Sequence, residues 1–312
     1  MGLLDRFRPP TTADVSTRSA EIAASLRAGA VPSAIRTRLE GARDGRLPWT
    51  ATLTPMELLI ARTHGIKPIA AVSATCWLHY GWSWTEGHAQ GWETALRRLR
   101  EEAKATGANA VLDVKMRTIP LQVENSMDFT LVGTAVRVDG LPPSQEPIVA
   151  TVPALEFVKL LEADVVPTGI AIGAKYDWLT DWTGAARQTW MGSIESTVLS
   201  QFWQSIRRSA HAELRQSALA QGNGVLAHIN FSQLLERHGA IGQTPPSKRP
   251  QREPESYLGR HIVIATTVDV QPGAPFPHEI RMVVDMHAGA TPLTGTRQHH
   301  QSYASNEQDR PI

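Results

Sequence analysis

Cys76 and His79 are the residues whose types and spacing come closest to a chemical site. A thiolate and an imidazole at this spacing can bind one zinc or copper ion. A closed zinc site needs four ligands and a catalytic site needs three plus a water, so His88 would have to supply a third. The alternative, which we favour, is a buried thiol beside the aromatic-rich entry to a helix.

Two further sets of residues could support enzymatic chemistry. Cys76 could be a nucleophile with His79 as its base, but a catalytic cysteine also needs a third group that orients the base. Asp113 and Lys115 share one face of a predicted strand, with Asp128 opposite, and could act as general acids and bases. A solvated face or ion pairs between subunits would explain the same cluster. The sequence has no Walker loop, GxGxxG, HExxH, GxSxG or EF-hand pattern, so we expect no enzyme.

The elements that would position these residues are clearest between Glu101 and Val138. One apolar stripe predicts a helix that ends at Gly107, and its members are Ala89, Trp92, Leu96, Leu99 and Ala103. An alternating strand follows, for which we predict one apolar face made of Ala110, Leu112, Val114 and Met116. After a polar loop, Met127–Val138 predicts an antiparallel return strand.

Shorter elements precede this segment. The residues Thr54-Pro55-Met56-Glu57 have the pattern of a capped helix start. Ile66–Thr75 is apolar on both faces and predicts a covered strand. Two segments with helical periodicity, Ser16–Leu26 and Pro32–Ala42, predict an N-terminal helical hairpin.

A second series of elements follows in the same order. We predict a short helix at Ala154–Leu161, a strand at Val165–Gly173, a helical region at Ala185–Gln221 and a return strand at His261–Val270. Our alignment places Ala174 on Ala74, Gly222 on Gly107, His228 on Asp113, and Asn223-Gly224 on Ala108-Asn109.

The sequence therefore predicts an α/β (α+β) fold that duplicates one small unit in tandem. Each unit has a mixed or antiparallel sheet and one long helix. We expect a helical extension at 1–48, a first unit at 49–140, and a second unit at 149–287 with a disordered loop at 239–256. Residues 288–312 are expected to form a disordered tail that contains His299 and His300.

Composition narrows the environment and the partners. The chain has 312 residues, a net charge of +1 and a single cysteine. The small charge provides no electrostatic attraction to nucleic acid, and no apolar run is long enough to span a membrane. One cysteine excludes an intramolecular disulfide and a multi-cysteine zinc site, so we expect a reducing, cytoplasmic setting.

Eight of the nine tryptophans cluster at corresponding places in the two predicted units, four in each. Large aromatic residues are common both in cores and at the centres of interfaces, and the sequence leaves both interpretations open. We predict that an interface with another subunit or partner is formed by Trp77, Trp82, Trp84, Trp178, Trp182 and Trp190.

Two motifs give the first unit a family resemblance. Gly107-Ala-Asn-Ala-Val111, which follows Ala103 and leads into a strand, and Gly133-Thr-Ala-Val136 in the return strand resemble the YbjQ-like family. The resemblance covers 50–140 well and 150–286 loosely. It implies small α/β domains in ring-forming, pentameric assemblies, and the family label implies a divalent heavy metal.

From this we expect a non-enzymatic structural protein that forms a closed homo-oligomeric ring or cage and scaffolds a partner protein. Unpaired strand edges in such small units favour closure against neighbouring copies. The alternative is a metal- or small-ligand-binding module with its sites at subunit interfaces. Candidate ligands for a metal are Cys76, His79 and His88, although we predict no metal site among them.

Overall fold

The computed structural model describes residues 12–79, 83–120, 126–140, 142–182, 196–237, 255–270, 284–285 and 291–292. Its helices are α1 (Thr12–Arg27), α2 (Ser33–Arg43), α3 (Pro55–Thr63), α4 (Trp84–Ala105), α5 (Ala154–Glu162) and α6 (Thr197–Leu219). Its strands are β1 (Ile66–His79), β2 (Ala110–Pro120), β3 (Ser126–Val138), β4 (Ile148–Val149), β5 (Val165–Asp181), β6 (Gly224–Arg237), β7 (Glu255–Val270), β8 (Val284–Asp285) and β9 (Thr291–Pro292). The chain divides into two compact parts, Met1–Val270 and Gln271–Ile312.

Two separate sheets confirm the mixed α and β class. The first sheet has the strand order β1-β3-β2-β4, in which only the β2–β4 pair is parallel. The second sheet has the order β5-β7-β6 and is entirely antiparallel. In each sheet the strand that follows a nine-residue helix, β1 or β5, pairs with β3 or β7, and a long helix leads from that strand to β2 or β6.

Local signals in the sequence account for the helix ends. Thr54 accepts a hydrogen bond from the Glu57 amide, and the Thr54 amide donates to Glu57 Oε2 at 2.7 Å, which completes the predicted capping box of α3. Ser83 caps α4 by accepting from the Glu86 amide at 3.1 Å. Gly107 has a φ of 69°, as expected of a glycine that ends a helix.

The long helix α4 packs between the two sheets. Gly91 lies against Phe129 of the first sheet, and His88 lies against Tyr176 of the second, with ring centroids 5.5 Å apart. One continuous cluster of buried side chains joins the helix to both sheets, and it includes Val72, Trp92, Leu99, Leu131, Ile170, Ile262 and Ile264. The second sheet therefore completes the core of the first helix and sheet.

The opposite face of the second sheet is covered by α6. Ala171 and Val263 pack against Leu214 of this helix, whereas their neighbours Ile170 and Ile262 belong to the cluster around α4. Adjacent residues of a strand point to opposite faces, so the second sheet lies between the two long helices. The layers run in the order first sheet, α4, second sheet, α6.

A bulge in β2 corrects the predicted apolar face of this strand. Its register with β3 shifts between Leu112 and Lys115, and Asp113 has a positive φ of 53°. The apolar residues of β2 consequently pack on both sides of the sheet. Ala110 and Leu112 pack with α3 and α5, whereas Val111, Val114 and Met116 belong to the cluster around α4. The prediction of a single apolar face was wrong because an irregular backbone breaks the alternation.

Several predicted boundaries also change. β1 continues to His79, so a strand occupies the place where a helix entry was expected. β7 begins at Glu255, inside the loop predicted for 239–256. Within the predicted tail, Thr291–Pro292 pairs with Val284–Asp285. The remainder of the loop and tail, including His299 and His300, lies outside the described residues.

Candidate functional site

A cleft of about 440 Å³ lies along the outer edge of β5, between α4 and α6. It is lined by side chains from all three elements: His88, Ala89, Trp92, Glu93, Leu96, Arg100, Ile170, Ile172, Ala174, Glu213, Gln216, Ser217 and Gln221. Sequence analysis did not identify this cleft, because its walls come from segments that are distant in the chain.

Side chains satisfy the backbone of the β5 edge. The Ala174 amide donates to Glu213 Oε2 at 3.0 Å, and Gln221 Nε2 donates to the Ile170 carbonyl at 3.2 Å. Burial raises the pKa of Glu213, although the Ala174 amide opposes this rise. These contacts oppose the addition of another strand at this edge.

The β1 edge is closed in a similar way. The Ser73 amide donates to Glu102 Oε2 at 3.0 Å, and Arg98 Nη1 donates to the Thr75 carbonyl at 2.6 Å. The Ala71 amide donates to the Thr50 hydroxyl at 3.0 Å. The expectation that unpaired edges drive assembly therefore does not apply to β1 or to this part of β5.

His88 is the fully buried polar side chain among the residues that line the cleft. Its Nε2 accepts the indole N–H of Trp92 at 3.1 Å, and its ring packs at 5.2 Å from Phe129. Burial, with a smaller contribution from the charge of Arg260, lowers the pKa of His88 to about 3. An indole can only donate, so the neutral imidazole must carry its proton on Nδ1. No hydrogen-bond partner for Nδ1 exists among the residues that the structure describes.

The cleft could bind a small polar ligand. A buried donor without an acceptor costs about 1–3 kcal/mol, and a ligand oxygen could remove that cost. Glu93, Arg100, Gln216 and Ser217 add charged and polar groups to the lining. His88 itself is a poor acid–base catalyst near neutral pH because its pKa is low.

Cys76 and His79 are not brought together as a ligand pair. Cys76 is buried among residues that pack on α4, and His79 is exposed at the end of β1. Residues separated by an odd number of positions on a strand point to opposite faces. Burial also raises the pKa of the Cys76 thiol, which disfavours the thiolate needed for metal binding or nucleophilic attack.

The proposed acid–base cluster is also dispersed. Asp113 pairs with Lys115 Nζ at 3.3 Å, and burial raises the pKa of Asp113. Asp128 of β3, however, lies opposite Trp77 of β1 and Ile119 of β2. Asp128 is therefore about six strand positions, or roughly 20 Å, from Asp113 along the sheet. The expectation that Asp128 lies opposite Asp113 was wrong.

The six candidate interface tryptophans have different positions. Trp77, Trp178 and Trp182 are exposed. The side chain of Trp84 is not described, and Trp82 and Trp190 lie outside the described residues. Trp92, by contrast, is part of the core. Their role in an interface remains a prediction.

The described residues do not fit a heavy metal. They contain no group of three or more histidine, cysteine, aspartate or glutamate side chains that could hold a metal ion. His88 cannot offer Nε2 to a metal while Trp92 donates to it. Among the described helices, none has the length and apolar character needed to cross a membrane.

Comparison with known proteins matches one segment of the chain. No curated protein and no solved structure gives a significant match. The model of the YbjQ family, described as "Putative heavy-metal-binding", matches residues 82–139. This segment contains α4, β2 and β3, together with both motifs that carry the resemblance.

Proposed function

We propose that this protein is a non-enzymatic structural protein that forms a closed homo-oligomer, a ring or cage able to scaffold a partner protein. The observation that carries the proposal is the position of α4 between two sheets. The long helix α4 and the first sheet bury their apolar surface against the second sheet, which belongs to the next unit. Contacts of this kind join unlike surfaces, and between copies of the chain they form a ring when the rotation from one copy to the next closes.

The proposal includes a tandem duplication of the helix–sheet unit. β1 and β5 both shift register just after a proline near their start, between Pro68 and Ala70 and between Pro167 and Gly169. Both strands follow a residue with positive φ, which is 70° at Gly65 and 56° at Asp164. Counted from the bulge, Gly173 rather than Ala174 corresponds to Ala74.

Matching hydrogen bonds support the same equivalence. The Thr52 amide donates to the Thr134 hydroxyl at 2.8 Å, and the Thr151 amide donates to the Thr266 hydroxyl at 3.0 Å. In each pair the two hydroxyls are also hydrogen-bonded, at 2.9 Å and 2.8 Å. Each pair ties the segment before a short helix to the middle strand of the following sheet.

Two asparagines correct our alignment. The Val138 amide donates to Asn109 Oδ1 at 2.9 Å, and the Val270 amide donates to Asn223 Oδ1 at 3.0 Å. Each side-chain amide returns a hydrogen bond to the same valine's carbonyl. Within the proposed duplication, these bonds favour pairing Asn223 with Asn109 rather than with Ala108, which leaves Ala108 as a one-residue difference between the units.

Corresponding side chains of the two units differ in exposure, as they would if copies of the chain assembled head-to-tail. Val158 of α5 is 1% exposed beside α3, but Leu59, at the same position of α3, is 61% exposed. Tyr176 of β5 is 7% exposed beside α4, but Trp77, at the same position of β1, is 58% exposed. A second copy would cover Leu59 and Trp77 as the first unit covers their counterparts.

Sedimentation velocity of charged variants tests this proposal. Leu59→Lys and Trp77→Lys should each raise the dissociation constant of the assembly at least about tenfold, as expected when an apolar contact at an interface is lost. Val15→Lys, at an exposed apolar position of α1, is the matched control and should leave assembly unchanged. If both test variants assembled as the wild type does, Leu59 and Trp77 would not lie at the interface between copies.

The second candidate function is a small-ligand-binding module, favoured by the cleft and by the buried His88 donor. Metals remain a proposal that only the family label supports. Elemental analysis of the purified protein should find a stoichiometric divalent metal if that version is right, and substoichiometric traces would remove it. The single, buried Cys76 supports our further proposal of a cytoplasmic location.

A further inference from the structure

Strand β4 shows how the second unit extends the sheet of the first. Ile148 and Val149 pair in parallel with Ala110 and Val111 of β2. The Ile148 amide donates to the Asn109 carbonyl at 3.1 Å, and the Ala150 amide donates to the Val111 carbonyl at 2.9 Å. Only a short connection separates β4 from α5, so β4 belongs to the segment that enters the second unit.

Trp49 and Thr50 are the counterparts of β4 in the first unit. They precede α3 as Ile148 and Val149 precede α5, and Thr52 makes the contact that Thr151 makes. In the part of the chain that the structure describes, Trp49 and Thr50 pair with no strand. Trp49 and Thr50 are both exposed, whereas their counterparts Ile148 and Val149 are half-buried and fully buried.

The first residues of β6 offer the matching edge. β6 is an outer strand of the second sheet, and Gly224 and Val225 oppose Val268 and Thr267 as Ala110 and Val111 oppose Val136 and Ala135. Val225 is only half-buried, whereas Val111, covered by β4, is completely buried. No backbone partner on the open side of Val225 exists within the described ranges.

We propose that Trp49–Thr50 of one copy adds as a parallel strand to Gly224–Val225 of β6 in a second copy. Each copy then donates one strand and accepts one, so the contact is head-to-tail, as a ring of copies requires. Thr50 is held at the β1 edge by the Ala71 amide, and β6 is the outer strand of the other sheet. The partner is therefore a second copy. This inference rests on the proposed homo-oligomer and specifies its interface.

Engineered disulfides test the contact in the full-length protein. The template pair Val111–Val149 places Thr50 opposite Val225, so Thr50→Cys with Val225→Cys should form disulfides between chains under oxidation. A non-reducing gel should show a ladder of multiples of 34.1 kDa. Val111→Cys with Val149→Cys is the positive control and should cross-link within one chain. Thr50→Cys alone should give no ladder beyond a dimer.

The outcomes separate this inference from the proposed function. A protein that is monomeric before oxidation refutes both. An oligomer that forms no disulfide between Thr50→Cys and Val225→Cys refutes this contact alone, as would be seen if the chain's own 271–283 occupied β6. A disulfide within a single chain likewise overturns the assignment to a second copy.

Discussion

Mild acid should destabilise this protein through His88. The side chain is buried against Trp92, Phe129 and Tyr176, and its pKa is lowered to about 3. In the unfolded chain a histidine has a pKa of about 6.5. Below pH 6.5, His88 therefore binds a proton in the unfolded state but not in the folded state. The free energy of unfolding falls from pH 6.5 down to about pH 3, where the folded state also accepts the proton.

The size of the effect follows from the two pKa values. Between pH 7 and pH 5, proton linkage at His88 alone removes about 2 kcal/mol of unfolding free energy. Below pH 6 the slope approaches about 1.4 kcal/mol per pH unit. The raised pKa values of Glu102, Asp113 and Glu213 act in the opposite direction, because the folded state holds their protons to higher pH than the unfolded state.

Urea denaturation at pH 7 and pH 5 measures this term when variants are compared. His88→Gln cannot titrate, but its side-chain oxygen can still accept the Trp92 indole, so it should lose about 2 kcal/mol less than the wild type over this interval. The carboxyl contributions cancel in the difference. His79→Gln replaces an exposed histidine and should behave as the wild type. Equal losses in the wild type and His88→Gln would refute the reasoning.

Two further predictions concern packing and hydrogen bonds. Gly91→Ala should lower the free energy of unfolding by about 1–3 kcal/mol in urea denaturation, because the added methyl would overlap Phe129. A rise of about 1 kcal/mol, which is typical when an exposed glycine in a helix is replaced by alanine, would contradict this. Asn109→Ala should lower the free energy of unfolding by about 1–3 kcal/mol, since it leaves the Val138 amide without its partner. Asn223 is exposed, so Asn223→Ala should lower it by less. Equal losses in the two variants would show that burial does not determine the size of the loss.

Local signals predicted the parts of the fold that depend on short segments. The capping box at Thr54 and the glycine stop at Gly107 were confirmed, as was the pairing of β2 with β3. Each depends on residues within a turn or two, where backbone preferences are strong. The faces of β2 were not predictable, because the positive φ of Asp113 departs from the usual preference of a non-glycine residue.

The candidate site was less predictable than the fold. The spacing of Cys76 and His79 made them weak candidates for a pair of metal ligands, but β1 places their side chains on opposite faces. The apolar stripe identified Trp92 as core, yet it carried no sign that a second sheet covers α4. Glu213 and Gln221 line the cleft only because β5 and α6 pack beside α4, a long-range arrangement with no local signature.

Native mass spectrometry tests the central claim most directly. If each unit is completed by the next, the purified protein at micromolar concentration should have one defined mass that is an integral multiple of 34.1 kDa. A species at 34.1 kDa alone would contradict the account, since Leu59, Trp77 and Trp49 would then remain exposed in the functional protein.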